Sequence, residues 1–275
     1  MAEAPHFETI HPAHAIERCG MSVLFTEGMP EKAFQRVVAG LRSNAEKTGF
    51  EQAQQSPAIE IDLTTGKLNP VGARQGPVTF VSSDGAFQFI AAPNILFWAT
   101  TRYVRWAPFA GQFETILGST LEDYLENLTL GAVQLEYLDR FTWTGGWDDF
   151  DVFGVLRRES ELLNTRAPRS RREWHLHTGW FEEVDGLRRL VNVNVDVTEL
   201  TRRYTSQRHP SVAIFTLMKD EANVPGYGTT PSDQLDREFI FERLDRIHSA
   251  VKRLFSEVIT GAMAERINLD ASDDE

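Results

Sequence analysis

Cysteine is nearly missing from this sequence, and that scarcity closes several routes. Its 275 residues include one cysteine, Cys19, so no disulfide can form within the chain and no Cys-rich zinc or iron-sulfur centre can be built. A single thiol is what a reducing compartment tolerates, which makes the cytoplasm the expected location. Long apolar runs are missing as well: nowhere do about 18 consecutive apolar residues occur, so no membrane-spanning helix is expected. The first residues are acidic and His-containing instead of basic and then apolar, and no signal peptide is predicted. Positive charge is in deficit, with 28 Lys+Arg against 40 Asp+Glu and a formal net charge of −12. An acidic chain repels phosphate backbones on average, so nucleic acid is not an expected partner. Local basic clusters do occur at Arg166, Arg169, Arg171 and Arg172, and at Arg202, Arg203 and Arg208. Acidic segments flank both, and solvated Arg-rich loops are their simpler reading.

The common catalytic signatures are absent too. There is no G-x-x-x-x-G-K-S/T, no G-x-G-x-x-G after a strand, no G-x-S-x-G and no H-E-x-x-H, which removes the usual nucleotide-binding, hydrolase and zincin readings. No cofactor is expected. Cys19 has no identifiable base beside it and reads as a structural thiol. Gly226-Tyr227-Gly228 before Thr230 reads as a flexible loop leading to a helix cap, although such a loop can also lend backbone N–H groups to an anion.

What is present is an ordinary globular composition, 41% hydrophobic and 25% charged, outside the disordered and collagen-like classes. Near the C-terminus Ile240, Leu244, Ile247, Val251, Leu254 and Val258 step by fours and threes, the stripe of one long helix. Thr230-Pro231-Ser232-Asp233 supplies a cap signal, which predicts helix from about 231 to 262. A second helix is predicted near Pro108, with Phe109, Phe113, Ile116, Leu117, Leu121 and Tyr124 on its stripe despite Gly111 and Gly118. A third starts at Pro30 and ends at Gly49. Strands follow from period-two alternation over 21–27, 58–63, 78–81, 87–91, 95–103, 133–141, 174–183, 187–197 and 212–219. Asp185-Gly186 signals a two-residue hairpin. On its second arm Val191, Val193, Val195 and Val197 should be packed, with Asn192, Asn194 and Asp196 on the other side.

In order, the elements repeat: strand, helix, strands, helix over 20–130, then strand, a short helix near 150–163, three strands and helix over 131–262. The expected fold is α+β, two pseudo-repeated βαβββα halves forming a curved antiparallel sheet covered by long helices. Residues 1–19 form an N-terminal extension, and 263–275 an acidic tail expected to be disordered.

The stretch from Leu244 to Thr260 reads L-x-x-I-H, six residues, F, three residues, I-T. This ending, the Tyr103-Val104-Arg105-Trp106 entry to the middle helix and the strand Leu135-Glu136-Tyr137-Leu138-Asp139-Arg140-Phe141 resemble a sporadically distributed prokaryotic family of about this length that has no assigned function. The sequence departs from that pattern at Glu136 and Asp139, where family members usually carry Arg and Asn. The resemblance implies a mobile genetic setting of the phage-defence or toxin-antitoxin kind and carries over no chemistry.

Two constellations are candidate sites. Trp143-Thr144-Gly145-Gly146-Trp147-Asp148-Asp149-Phe150-Asp151 combines turn residues with aromatics and acids, and Trp143, Trp147, Asp148, Asp149 and Asp151 could form a partner surface. The alternative is a loop whose aromatics tuck into the second half while an Asp caps the following helix. His175-Leu176-His177 places two imidazoles on alternate strand positions, and Glu182 lies five residues on, so His175, His177 and Glu182 form a candidate metal site of H-x-H-x4-E spacing. Its alternative is a pair of polar residues on an open sheet face. His248, at the edge of the helix stripe, reads as a buried histidine with a backbone partner, and a catalytic role would need Asp139 or Asp196 to orient it. The leading expectation is a cytoplasmic, non-enzymatic protein-binding or regulatory protein that uses its sheet face or Trp loop. The alternative is a metal-dependent enzyme or small-ligand binder. Oligomeric state, a homodimer included, is left open.

Overall fold

In a computed structural model the chain is described at residues 6–52, 59–62, 67–70, 76–164, 166–170, 172–201, 208–231 and 234–269. Four α-helices and twelve strands occur among these residues. The strands are β1 (Phe7–Thr9), β2 (Ile16–Phe25), β3 (Phe50–Gln52), β4 (Ile59–Asp62), β5 (Lys67–Pro70), β6 (Val78–Ser82), β7 (Phe87–Ala92), β8 (Ile95–Thr100), β9 (Leu130–Trp143), β10 (Trp174–Val184), β11 (Leu187–Thr201) and β12 (Arg208–Glu221). The helices are α1 (Glu31–Thr48), α2 (Trp106–Asn127), α3 (Arg237–Val258) and α4 (Gly261–Arg266). Ten strands join an open antiparallel sheet, and β4 and β5 pair separately. The α+β class is therefore as the residue pattern implies.

Two compact units divide the chain, one of Met1–Cys19, Gln134–Thr229 and Glu242–Glu275, the other of Gly20–Val133 and Thr230–Phe241. The first contains the 174–197 hairpin and is called the hairpin unit; the second contains α1 and α2 and is called the helix-pair unit. The cuts fall inside β2, β9 and α3.

In the helix-pair unit β8 is followed in pairing order by β7, β6 and β3. Aromatic side chains at inward positions fill its core: Phe80 stacks on Phe89 at 4.6 Å between ring centroids, and Trp98 lies 6.3 Å from Phe109 of α2. α1 buries Phe34, Val37, Val38, Leu41 and Ala45 and stops at Gly49, whose φ of 79° is left-handed. α2 runs unbroken through Gly111 and Gly118, because the burial of Phe109, Phe113, Leu117, Leu121 and Tyr124 along one stripe outweighs the weak propensity of two glycines.

In the hairpin unit β10, β11, β12 and β9 are successive neighbours, and β1 pairs with β9. Residues 7–9 of the expected N-terminal extension are thus part of the sheet. The Asp185-Gly186 turn has positive φ at both positions, 55° and 77°, the two-residue geometry that matches strand twist. It sets an unbroken register from Trp174 opposite Val197 to Val184 opposite Leu187. Val191, Val193, Val195 and Val197 are buried, and Asn192, Asn194 and Asp196 are half-buried on the other face.

Three boundaries depart from expectation. α3 begins at Arg237, not near 231: Asp236 accepts from the Phe239 N–H at 2.9 Å, and the preceding turn, closed by Gln234 N–H on the Pro231 carbonyl, buries Leu235. An aspartate at the N-cap outcompetes the earlier signal, two residues of which, Ser232 and Asp233, lie outside the described residues. α3 ends at Val258, where Ile259 bridges to Leu156, and Thr260 then caps α4 by accepting from Met263 N–H. Met263 and Ile267 are buried, so the expected tail starts too early; 270–275 lie outside the described residues. In place of the short helix near 150–163 there is one 3-10 turn, Val152–Gly154, capped by Asp151. Val155 and Leu156 enter the core immediately after it, which leaves no amphipathic stripe to continue.

Candidate functional site

The Trp loop is bonded within the hairpin unit. Trp143 Nε1 donates to Asp149 Oδ1 at 3.0 Å, and Trp147 Nε1 donates to Glu199 Oε1 at 3.0 Å. The rings of Phe7, Trp143, Phe150 and Trp147 form a cluster with neighbouring centroids 4.9 to 6.4 Å apart. A Cβ at Gly145 would lie 2.6 Å from both the Asp149 carboxylate and Trp143 Nε1, so a larger residue there would have to displace that pair. Asp151 accepts from Phe153 N–H at 3.0 Å. Of the five residues proposed as a partner surface, Trp143, Trp147, Asp149 and Asp151 thus hold the loop together, while Asp148 is exposed.

His175 and His177 are exposed on β10, 5.6 Å apart between ring centroids. The third member of the candidate metal site does not join them. A strand alternates faces at each residue, so the odd offset of five puts Glu182 on the opposite side, where it pairs in register with Arg189 and accepts from Trp180 Nε1 at 3.2 Å. Among the described residues no three metal-ligating side chains converge.

Groups with catalytic potential lie inside the hairpin unit. The hydroxyl of Tyr137 on β9 and Nδ1 of His248 on α3 share a hydrogen bond at 2.8 Å. Cys19 also hydrogen-bonds Tyr137, and burial pushes its thiol well above the usual range, with Asp139 and Glu136 adding to the rise. A buried, protonated thiol is a poor nucleophile. Asp139 follows Tyr137 by two residues on the buried face of β9, and burial pushes its carboxyl up to about 8. His248 thus has a tyrosine hydroxyl as a partner at Nδ1, a side chain that the sequence did not single out for it. The sequence contains that signal only in the inward parity of Tyr137 along β9.

A second interior group escaped the sequence reading. Asp220 on β12 accepts two hydrogen bonds from Arg189, at 2.7 and 2.8 Å, and one from Arg243 Nε. Arg243 also reaches Asp185 at 2.6 Å and the Val184 carbonyl at 3.3 Å, and Arg246 reaches Asp185 at 3.0 Å. These bonds, that of Arg243 first, hold the Asp185 carboxyl below the ordinary aspartate range. All three of Arg189, Asp220 and Arg243 are buried, and together they fasten α3 to the turn end of the hairpin. The legible signal was a charge at an inward position, Arg189 among Leu187, Val191 and Val193.

The remaining candidate is the face of β10, β11 and β12 that carries His175, His177 and Phe181, then Leu190, Asn192, Asn194 and Asp196, then Phe215 and Leu217. Phe181 is 55% exposed, and the Arg188 guanidinium lies 4.9 Å from its ring centroid. Leu190, Phe215 and Leu217 are half-buried. The buried Oδ1 of Asn194 has no hydrogen-bond partner among the described residues. In the helix-pair unit a depression of about 300 Å³ lies between the end of α2 and the start of β9, lined by residues 125–130 and Leu235.

No family model and no curated protein matches the chain. No helix among the described residues is long and apolar enough to cross a membrane. Cys19, His248 and Asp139 are buried, and Cys19 and His248 both bond Tyr137, whereas the open face of β10 to β12 offers aromatic, amide and imidazole groups suited to recognition.

Proposed function

We propose that this chain is a non-enzymatic, cytoplasmic protein-binding or regulatory protein, and that its contact surface is the open face of β10, β11 and β12. One observation carries the reading: Phe181 stands 55% exposed on a regular strand, while the nucleophile, base and acid with catalytic potential are buried. An exposed aromatic among half-buried Leu190, Phe215 and Leu217, with Asn192 and Asn194 between, has the mixed character of a recognition surface. The Trp143 to Asp151 loop lies within the same unit, where Trp147 bonds Glu199 of β11.

The scaffold is read as two duplicated halves, each ending in a long helix laid over its strands. The order β2, then β6-β7-β8, then α2 repeats as β9, then β10-β11-β12, then α3, and in each set the first strand neighbours the last strand of the meander. The family resemblance adds a setting, a prokaryotic locus of the defence or toxin-antitoxin kind, in which the products of adjacent genes are the natural binding candidates. Those products should be presented to the immobilised full chain. A neighbour retained by the wild type and released by Phe181→Asp supports the reading. No retained neighbour, or retention indifferent to Phe181→Asp, Phe215→Asp and Leu217→Asp, rejects this surface.

A further inference from the structure

We infer that β10 is a dimerisation edge, and that two copies of this chain pair β10 with β10 antiparallel about a two-fold axis through Gly179. The inference needs no partner but the chain itself, so it stands apart from the proposed function.

β10 ends the strand order of its sheet. It runs eleven residues, Trp174-His175-Leu176-His177-Thr178-Gly179-Trp180-Phe181-Glu182-Glu183-Val184, in unbroken register with β11. It has no proline, no lysine and no bulge, three of the devices by which solitary proteins blunt such an edge. The preceding segment touches β10 through the Ala167–Arg169 turn and through Thr178 Oγ1, which donates to the Leu162 carbonyl, and no strand lies on the outer side of β10 among the described residues.

The turn fixes which peptide groups face outward. In a two-residue hairpin the flanking residues, here Val184 and Leu187, exchange the closing pair of hydrogen bonds, and bonded residues then alternate along the strand. Even-numbered residues of β10 therefore bond β11. The N–H and C=O groups of His175, His177, Gly179, Phe181 and Glu183 point away from it. An antiparallel pairing centred on Gly179 matches these groups with themselves: His175 faces Glu183 of the second copy, His177 faces Phe181, and Gly179 faces Gly179. That register engages all eleven residues and about ten intermolecular backbone bonds, whereas a shift of the centre by one residue either way leaves about eight.

Side chains agree with the register. An imidazole meets a carboxylate at both ends, and an imidazole meets an aromatic ring on either side of the centre, all favourable cross-strand pairs. The glycines at the axis put no side chains opposite each other. The large exposed Phe181 ring is then covered at its strand edge by His177 of the second copy.

Sedimentation velocity of the full chain from about 1 to about 100 μM should show a monomer-dimer equilibrium. His177→Pro removes an outward N–H and none that bonds β11, a position where an edge strand accepts proline, and should weaken the dimer about tenfold or more with its circular dichroism unchanged. A second variant reports the register directly. His177 and Phe181 are about 13 Å apart along one strand, too far for an internal disulfide, so oxidised His177→Cys/Phe181→Cys should run as a covalent dimer on a non-reducing gel. A chain that stays monomeric throughout the range, or a dimer that His177→Pro leaves intact, overturns the inference. So does a double-cysteine variant that dimerises in solution and forms no crosslink.

Discussion

Tyr137 and His248 meet inside the hairpin unit at 2.8 Å, hydroxyl to Nδ1, joining β9 to α3 by a buried hydrogen bond. Tyr137→Phe keeps the ring and removes that bond together with the one to Cys19. It should destabilise the chain by about 1 to 2 kcal/mol, read from urea unfolding. An unchanged unfolding midpoint would show that the pair contributes no net stability.

Asp220 between Arg189 and Arg243 should be among the most sensitive positions. Asp220→Ala leaves two guanidinium groups buried without their shared carboxylate, and a loss of about 3 to 5 kcal/mol follows. The triple replacement of Arg189, Asp220 and Arg243 by apolar residues of similar volume should recover most of it, since removing the whole network leaves no uncompensated charge. Denaturant titration of both variants distinguishes the two cases.

Asp139 predicts a pH dependence. Its folded carboxyl stays protonated up to about 8 because burial disfavours the charge, while an unfolded aspartate ionises near about 4. Between these values the folded state holds the extra proton. The stabilisation is complete below about pH 4 and declines as pH rises through about 8, by up to about 1.4 kcal/mol per pH unit. Asp139→Asn should flatten that part of the profile, so that variant and wild type diverge more at pH 8 than at pH 5. Parallel profiles in urea unfolding at the two pH values would contradict it.

The N-cap of α3 is a milder test. Asp236→Ala removes the acceptor for Phe239 N–H and should lower stability by about 1 kcal/mol, whereas Asp236→Asn or Asp236→Ser should recover most of it. Thermal unfolding monitored by circular dichroism resolves a change of that size.

For the two histidines the geometry predicts indifference to metal. With Glu182 on the opposite face from His175 and His177, replacing both by Ala should leave the metal content of untagged protein unchanged on elemental analysis, and stability within about 0.5 kcal/mol. A stoichiometric transition metal lost in the variant would reinstate the metal reading.

Local periodicity and turn chemistry determined much of this protein from the sequence alone. The stripe of α1, its stop at Gly49, the continuity of the apolar face of α2 and the hairpin about Asp185-Gly186 were legible because each follows from neighbours a few residues apart. Alternation along β11 showed which valines turn inward and which amides turn outward. What the sequence did not reveal was set by contacts between distant segments. Asp236 in place of Thr230 starts α3, because the turn before it has Leu235 to bury. The 150–163 segment gives up helix for a turn because Leu156 has Ile259 to bridge. The candidate sites divide in the same way. Alternation alone already separates Glu182 from the two histidines, whereas the engagement of Trp143 and Trp147 by Asp149 and Glu199, the bond between Tyr137 and His248 and the capture of Asp220 by two arginines join residues 6 to 111 positions apart. Period and propensity are properties of the local chain. The partner of a buried polar group is decided only when packing removes water and leaves it one remaining choice.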